Sequence, residues 1–265
     1  METMGIIFSN IYDSKMGALT ELRTSASIPV GGRYRQIDFI LSSMANSGIK
    51  HIGIITKYNY QSLMDHLGSC QEWDLNLHKH GVTLLPPYAT GQNGVYRGKL
   101  EALQNALTVL ESGNQEYVVL ADSHMMAAVD FRKVVAAHKT SGANVTVVAK
   151  KGVADGKKNI HFAVLPGEDG LATAMGCDYA APAEYSASMG MFVMKRKQLV
   201  ETIKELVPHG NYHFERDFIM NIFKMGMLKL NVYHFEGVAL SNDTVEAYYK
   251  NNMALLCSDV RNSLF

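Results

Sequence analysis

The chain has 265 residues, enough to bury one large core, and its 25 Lys plus Arg are balanced by 25 Asp plus Glu. Zero formal charge removes the basic footprint of a nucleic-acid binder or a polybasic membrane protein. The N-terminus METMGIIFSN lacks a basic n-region and a long apolar h-region, and no apolar run approaches the roughly 20 residues that cross a bilayer, so a soluble cytoplasmic protein is expected.

Gly5 to Ser9 is a short apolar run that predicts the first strand. The Gly31-Gly32 turn then leads into a helix with apolar residues at Ile37, Ile40, Leu41 and Met44, the i, i+3, i+4, i+7 spacing of one buried face. Gly48 suits the left-handed position that closes such a helix, and Ile52 to Thr56 has the length of a buried strand. Tyr60 to Leu67 predicts a helix with Leu63 and Leu67 inward. His78 and His80 have no third ligand nearby and read as exposed loop histidines rather than a metal pair.

Val82 to Leu85 predicts a strand ended by Pro86 and Pro87. A loop rich in Gly, Asn and Thr follows, and then Leu100, Leu103, Leu107 and Leu110 form the apolar stripe of a single helix. Tyr117 to Ala121 is a buried-type strand, Phe131 to His138 an amphipathic helix and Asn144 to Lys150 the next strand, with residues 151–158 as a solvated turn. Ile160 to Leu165 and Leu171 to Met175 predict a hairpin-like pair around Gly167 and Gly170. Lys197 to Leu206 and His213 to Met225 are predicted helices, the second with Phe214, Phe218 and Ile222 four apart, and Leu228 to Phe235 is a strand of alternating type. Cys70, Cys177 and Cys257 are odd in number and far apart, which leaves three reduced thiols rather than a disulfide framework. Alternating strands and helices predict an α/β fold with a mainly parallel sheet, whose ligands sit beyond the carboxyl ends of the strands, near Asn10 and Ser123.

The wording of PVGGRYRQIDF (29–39) and NSGIKHIGIITKY (46–58) resembles the sugar-nucleotide pyrophosphorylases, in particular glucose-1-phosphate adenylyltransferase (ADP-glucose pyrophosphorylase) and its GlgD-type regulatory subunits. The resemblance extends with gaps from Gly5 to about Leu256. It implies a Rossmann-like nucleotidyltransferase (glycosyltransferase-A-like) domain over residues 1–265, with a mixed, mainly parallel sheet flanked by helices. The family continues into a left-handed β-helix; no hexapeptide repeat is present in this chain, so that domain is expected to be absent from it.

The resemblance also implies where chemistry should lie, and the residues there have changed. The family's first strand leads into a glycine-rich phosphate loop, whereas this chain reads Asn10, Ile11, Tyr12, Asp13, Ser14, Lys15. A phosphate cradle needs residues without Cβ so that backbone N–H groups converge on the anion; Ile11 and Tyr12 crowd that approach and Asp13 adds negative charge. Lys15 is a remaining cation, equally readable as a solvated loop lysine. Arg23 matches a family arginine, and Ser25 replaces an expected lysine. Tyr96 and Gly98 are kept from the family's base and ribose motif, but Lys99 and Glu101 replace its Thr and Asp. Aligning on His124 puts Ser123 at a metal-ligand aspartate, with Asp122 one residue early and therefore on the opposite face of an extended strand. The family's sugar-phosphate lysine has no counterpart between Ala174 and Tyr185, while ASMGMFV (187–193) keeps Ser188 and Gly190 where a glucose would sit. Of the family's Asp-Phe-Gly-x-Asp only Phe214 and Asp217 remain, Ser241 stands at the second metal aspartate and Asp243 at a glycine.

Nucleotidyl transfer depends on positioning anions and neutralising them with Mg²⁺, and a serine hydroxyl brings no charge to replace a carboxylate ligand. Catalytic residues, metal and cofactor are therefore expected to be absent, with Ser25, Ser123 and Ser241 as degenerate positions. The expected remnant pocket comprises Lys15, Arg23, Tyr96, Gly98, Asp122, Ser188, Gly190 and Asp217. The expectation is a non-catalytic regulatory subunit in glycogen biosynthesis that forms a hetero- or homo-oligomer with a catalytic homologue. The alternatives are an active enzyme holding Mg²⁺ through displaced Asp122 and Asp243, and a module that binds a nucleotide or sugar-phosphate effector without turnover.

Overall fold

A computed structural model describes residues 2–76, 81–87, 95–151 and 160–265. Its first strand, β1 (Thr3–Phe8), is buried along its whole length: Met4, Ile6 and Phe8 face one core and Ile7 the other. A strand buried on both faces belongs to the middle of a layered α/β sheet. After it come the two-residue strands β2 (Pro29–Val30) and β3 (Tyr34–Arg35), then helix α1 (Gln36–Asn46), β4 (Ile52–Ile55), α2 (Gln61–Leu67) and β5 (Val82–Leu85). Next are α3 (Lys99–Gln104), α4 (Leu107–Ser112), β6 (Tyr117–Asp122), β7 (Met125–Met126), α5 (Phe131–Ser141) and β8 (Val145–Lys150). The hairpin β9 (Ile160–Pro166) and β10 (Ala172–Tyr179) leads to the long strand β11 (Ser186–Lys195) and to α6 (Arg196–Leu206). A π-helix (Phe214–Met220) runs into α7 (Asn221–Lys224), followed by β12 (Leu230–His234), β13 (Leu240–Ser241), α8 (Val245–Ala254) and α9 (Ser258–Leu264).

Among the described residues, nine strands form one sheet in the order β10-β9-β11-β6-β1-β4-β5, with β8 and β12 attached through β11. The pairs β1/β4, β1/β6, β4/β5 and β8/β12 are parallel, and β11 runs antiparallel to β6, β8 and β9. Helices cover both faces. Leu100, Leu103, Leu199, Ile203, Phe214 and Phe218 pack on one, and Ile37, Ile40, Leu41, Met44, Leu63 and Phe131 on the other. This is the Rossmann-like, mixed and mainly parallel sheet flanked by helices that the alternating pattern predicts.

Strand β11 changes neighbour along its length. Ser186 and Ala187 pair with β9, the register shifts between Ser188 and Met191, and Met191 to Lys195 pair with β6. The change falls at Gly190, whose φ is +69°, and it brings the start of β9 close to the carboxyl end of β6.

Several elements depart from expectation. The single helix expected across Leu100 to Leu110 is broken: Asn105 and Ala106 donate back three residues, to Ala102 and Leu103, so α3 and α4 are separate while Leu100, Leu103 and Leu110 stay buried. The helix expected from His213 is a π-helix followed by one short α turn. The strand expected to end at Met175 continues to Tyr179, and α9 adds a helix beyond the last predicted segment. His78, His80 and residues 152–158 lie outside the described residues. Among the described residues no helix is long and apolar enough to cross a membrane.

Candidate functional site

The carboxyl ends of β1 and β4 open on a cavity of about 230 Å³ whose lining includes Asn10, Thr56, Lys57, Tyr96, Gly98 and Lys99. Gly98 decides how the helical side of this cavity is seated. A Cβ there would stand 2.3 Å from the Tyr212 carbonyl oxygen, so only glycine lets the start of α3 dock against Tyr212, where the Leu100 N–H donates to that carbonyl at 2.9 Å. The next residue, Lys99, is thereby turned into the molecule.

Its ammonium lies 2.8 Å from Asp122 Oδ2 and also donates to Glu215 Oε1. The three side chains are 5, 0 and 5% exposed. Asp122 ends β6 on the face that carries Val118 and Leu120, and Glu215 lies in the first turn of the π-helix. From β9, His161 brings Nε2 to 3.6 Å from Glu215 Oε1. The rings of Phe8 and Phe192 enclose the ammonium at 5.6 and 5.9 Å. A buried charge without a partner costs several kcal/mol, so an ammonium at this depth requires its two carboxylates, and they require it.

Protonation follows from these contacts. Burial works against the Lys99 charge, but Asp122 and Glu215 outweigh it and hold the ammonium well above its ordinary pKa. Burial raises Asp122, with Lys99 opposing. Burial also acts to raise Glu215, yet Lys99 and His161 hold it far below the usual carboxylate range. His161 is opposed by burial and lifted above its ordinary value by Glu215. The neighbouring His124 has no such partner among the described residues, and burial pushes it down to about 3.

The loop after β1 closes over this cluster. Tyr12 is 5% exposed, its ring 4.3 Å from that of His124 and 6.3 Å from that of His161, and burial together with Asp122 and Glu215 raises its phenol. Asp13 pins the loop: its carboxylate accepts from the Ser25 N–H at 2.7 Å and from the Asn10 amide, and Asn10 in turn accepts from the Lys57 N–H at 2.8 Å. With no glycine from Asn10 to Met16, this stretch ties Asn10 and Asp13 to Lys57 and Ser25 and buries Tyr12.

Of the residues singled out from sequence, Tyr96 and Gly98 line the cavity. Lys15 is exposed and Arg23 half-buried, and neither lines it. Asp217 is placed elsewhere. Its carboxylate accepts from the backbone N–H groups of Tyr212 and His213 at 2.8 and 2.9 Å, capping the π-helix rather than facing the cavity. Asp122 is likewise beneath the cavity, reached through Lys99; its Oδ1 has no partner among the described residues. Ser188 accepts from the Gly190 N–H at 3.1 Å, and Gly190 is pressed on Asp122, where a Cβ would meet Oδ2 at 2.5 Å, so this pair shapes the wall behind Asp122. Ser25 donates its hydroxyl to the Ser9 carbonyl at 3.1 Å. Ser123 is buried, and Ser241 pairs with Met125 across β13 and β7. Glu215, His161 and Lys57 are charged or titratable groups of this cavity that were not singled out, and Lys99 was noted only as a replacement. The available signal was the pair of replacements, a lysine for Thr and a glutamate for Gly, which are opposite in sign.

The residues present do not fit a magnesium ion. Asp122 is already bound to an ammonium, Ser123 and Ser241 are uncharged, and among the described residues no group of three or more His, Cys, Asp or Glu is placed to hold a metal. A divalent ion 4 Å from the ammonium would be repelled by about 8 kcal/mol at an effective dielectric constant of about 20.

Comparison with known proteins bears on this site. The family model described as nucleotidyl transferase matches residues 5–257. Glucose-1-phosphate adenylyltransferases are similar over nearly the whole chain. The protein from Pseudothermotoga lettingae is 28% identical over 256 residues, covering 96% of this chain and 60% of that protein. The protein from Halalkalibacterium halodurans is 29% identical over 261 residues, covering 96% and 67%. The protein from Clostridium perfringens is 29% identical over 268 residues, covering 100% and 68%. The chain thus spans between 60 and 68% of the length of these relatives. With the layered sheet and its carboxyl-end cleft, the match across residues 5–257 establishes that the chain belongs to the nucleotidyl transferase family.

Proposed function

We propose that this chain is a non-catalytic, cytoplasmic regulatory subunit of glucose-1-phosphate adenylyltransferase, the activity that joins ATP and glucose 1-phosphate into ADP-glucose with release of pyrophosphate in glycogen biosynthesis. The observation that carries this reading is the buried ion pair of Lys99 with Asp122: the carboxylate nearest the expected metal position is already neutralised from within the chain. The inward Tyr12 and the loop held by Asp13 support it, since together they fill space and remove donors a polyphosphate would need. Three free thiols suit a reducing compartment.

The test is pyrophosphate release from ATP, glucose 1-phosphate and MgCl₂, measured for the chain alone, for a catalytic homologue alone and for both together. The expected result is no release above background by the chain alone and altered kinetics of the homologue in its presence, with co-elution on size exclusion. Turnover by the chain alone would instead favour displaced metal ligation by Asp122 and Asp243. A second reading, an effector module, is favoured by the cavity of about 230 Å³ and by the Thr56 hydroxyl on its wall, which has no partner among the described residues. Calorimetry with ATP and with sugar phosphates, with and without Mg²⁺, tests it.

A further inference from the structure

We infer that Lys99 is a resident cation: its ammonium supplies from within the chain the positive charge that a divalent ion would bring to carboxylates at the end of β6, so this cleft neither needs nor admits such an ion. The claim concerns the charge balance of this chain and shares with the regulatory reading the Lys99–Asp122 ion pair, but it stands whether or not the chain regulates a partner.

Geometry carries it. Two carboxylates from distant parts of the sequence, Asp122 and Glu215, converge on one ammonium nitrogen, and all three side chains are at least nine-tenths buried. Lys99 spans 2.8 Å to Asp122 Oδ2, a hydrogen-bond distance, whereas a magnesium ion demands oxygens at about 2.0–2.1 Å in near-octahedral array. Gly190 stands directly behind Asp122, so the carboxylate has no room to retreat and take another partner on that side. The remaining oxygen, Asp122 Oδ1, is buried and has no hydrogen-bond partner among the described residues, so the ammonium on Oδ2 is the cation in direct contact with this carboxylate. His161, the other group beside Glu215, completes the balance when protonated. Lys99 and Glu215 also line the cavity, so an ion entering from solvent would reach them.

Mn²⁺ is the probe, followed by the electron paramagnetic resonance signal of the free ion and by the melting temperature in MnCl₂ against NaCl of equal ionic strength. Wild type is expected to leave the free signal undiminished and its melting temperature unmoved by Mn²⁺. Lys99→Met keeps much of the stem and deletes the charge, exposing two buried carboxylates to each other; it is expected to melt lower, to bind Mn²⁺ at least about tenfold more tightly than wild type, and to regain part of the lost melting temperature with the ion. Should Lys99→Met not fold unaided, refolding in MnCl₂ against NaCl decides equally: ion-dependent recovery supports the inference, and none overturns it. Stoichiometric Mn²⁺ binding by wild type, or a folded Lys99→Met that binds no more tightly than wild type, overturns it as well. Absence of partner binding would overturn the regulatory proposal alone and leave all these readouts in place, whereas stoichiometric Mn²⁺ binding by wild type would overturn this inference and the ion-pair argument for that proposal together.

Discussion

At Gly190 a positive φ of +69° coincides with an approach of 2.5 Å between any Cβ and Asp122 Oδ2. Left-handed backbone costs a non-glycine residue about 1–2 kcal/mol, and overpacking against a buried group adds about 1–3. Gly190→Ala is therefore expected to lose about 3 kcal/mol of stability by urea denaturation, on the order of the sum of those two costs. The cysteines differ in the same local way. Burial pushes Cys70 up to about 11 and Cys177 to about 12, whereas exposed Cys257 is lowered by the backbone N–H groups of Val260 and Asp259. Thiolate is the reactive form, so a thiol reagent at neutral pH is expected to label one cysteine rapidly in the folded chain and the other two only after unfolding, as mass spectrometry of the labelled peptides would read. Residue by residue, the site was half legible. Lost glycines and serines at charged positions are visible in a sequence, but the partner of Asp122 is not, because Lys99 lies 23 positions before it and Glu215 lies 116 after Lys99. Only the fold makes them neighbours.

Elements with strong periodicity were readable, and α1 is the clearest. Ile37, Ile40, Leu41 and Met44 are each at most 1% exposed and pack against the sheet, as their spacing requires. Leu41→Ala is expected to cost about 2–5 kcal/mol, read as a shift in the urea midpoint with little change in slope. The break between α3 and α4 was not readable, because an interrupted helix and a continuous one can bury the same leucines: Leu100, Leu103 and Leu110 are 0% exposed on either side of it. The π-helix hid behind a similar ambiguity. Phe214 and Phe218 sit four apart, which satisfies an α-helical pattern, while the wider turn that carries Glu215 toward Lys99 leaves no mark in hydrophobicity. The cap made by Asp217 was unreadable for a related reason: an acidic residue early in a helix is as often a cap as a ligand, and here it accepts two backbone N–H groups.

For the whole molecule, buried histidines set the response to acid. His124 titrates at about 3 in the folded chain against 6.5 when exposed, and His138 is lowered in the same direction, both through burial. Between those values the unfolded chain binds more protons, so the stability from these residues is full above about pH 6.5 and falls as pH drops. His161 has the opposite sign: raised by Glu215, it contributes fully below 6.5 and loses its contribution as pH rises through its folded value. The urea midpoint is expected to fall between pH 7 and pH 5, with His124→Gln flattening that slope and His161→Gln flattening the alkaline side. At this scale the layered fold was legible from the alternation of strands and helices. The handover of β11 from β9 to β6 was not, because it depends on a register shift that brings two distant strands to one edge. The ion pair at that meeting point has a further consequence. An ion captured by coordination comes and goes with its concentration outside, but the Lys99 ammonium is delivered by the ribosome with every copy of the chain. No chelator can strip it.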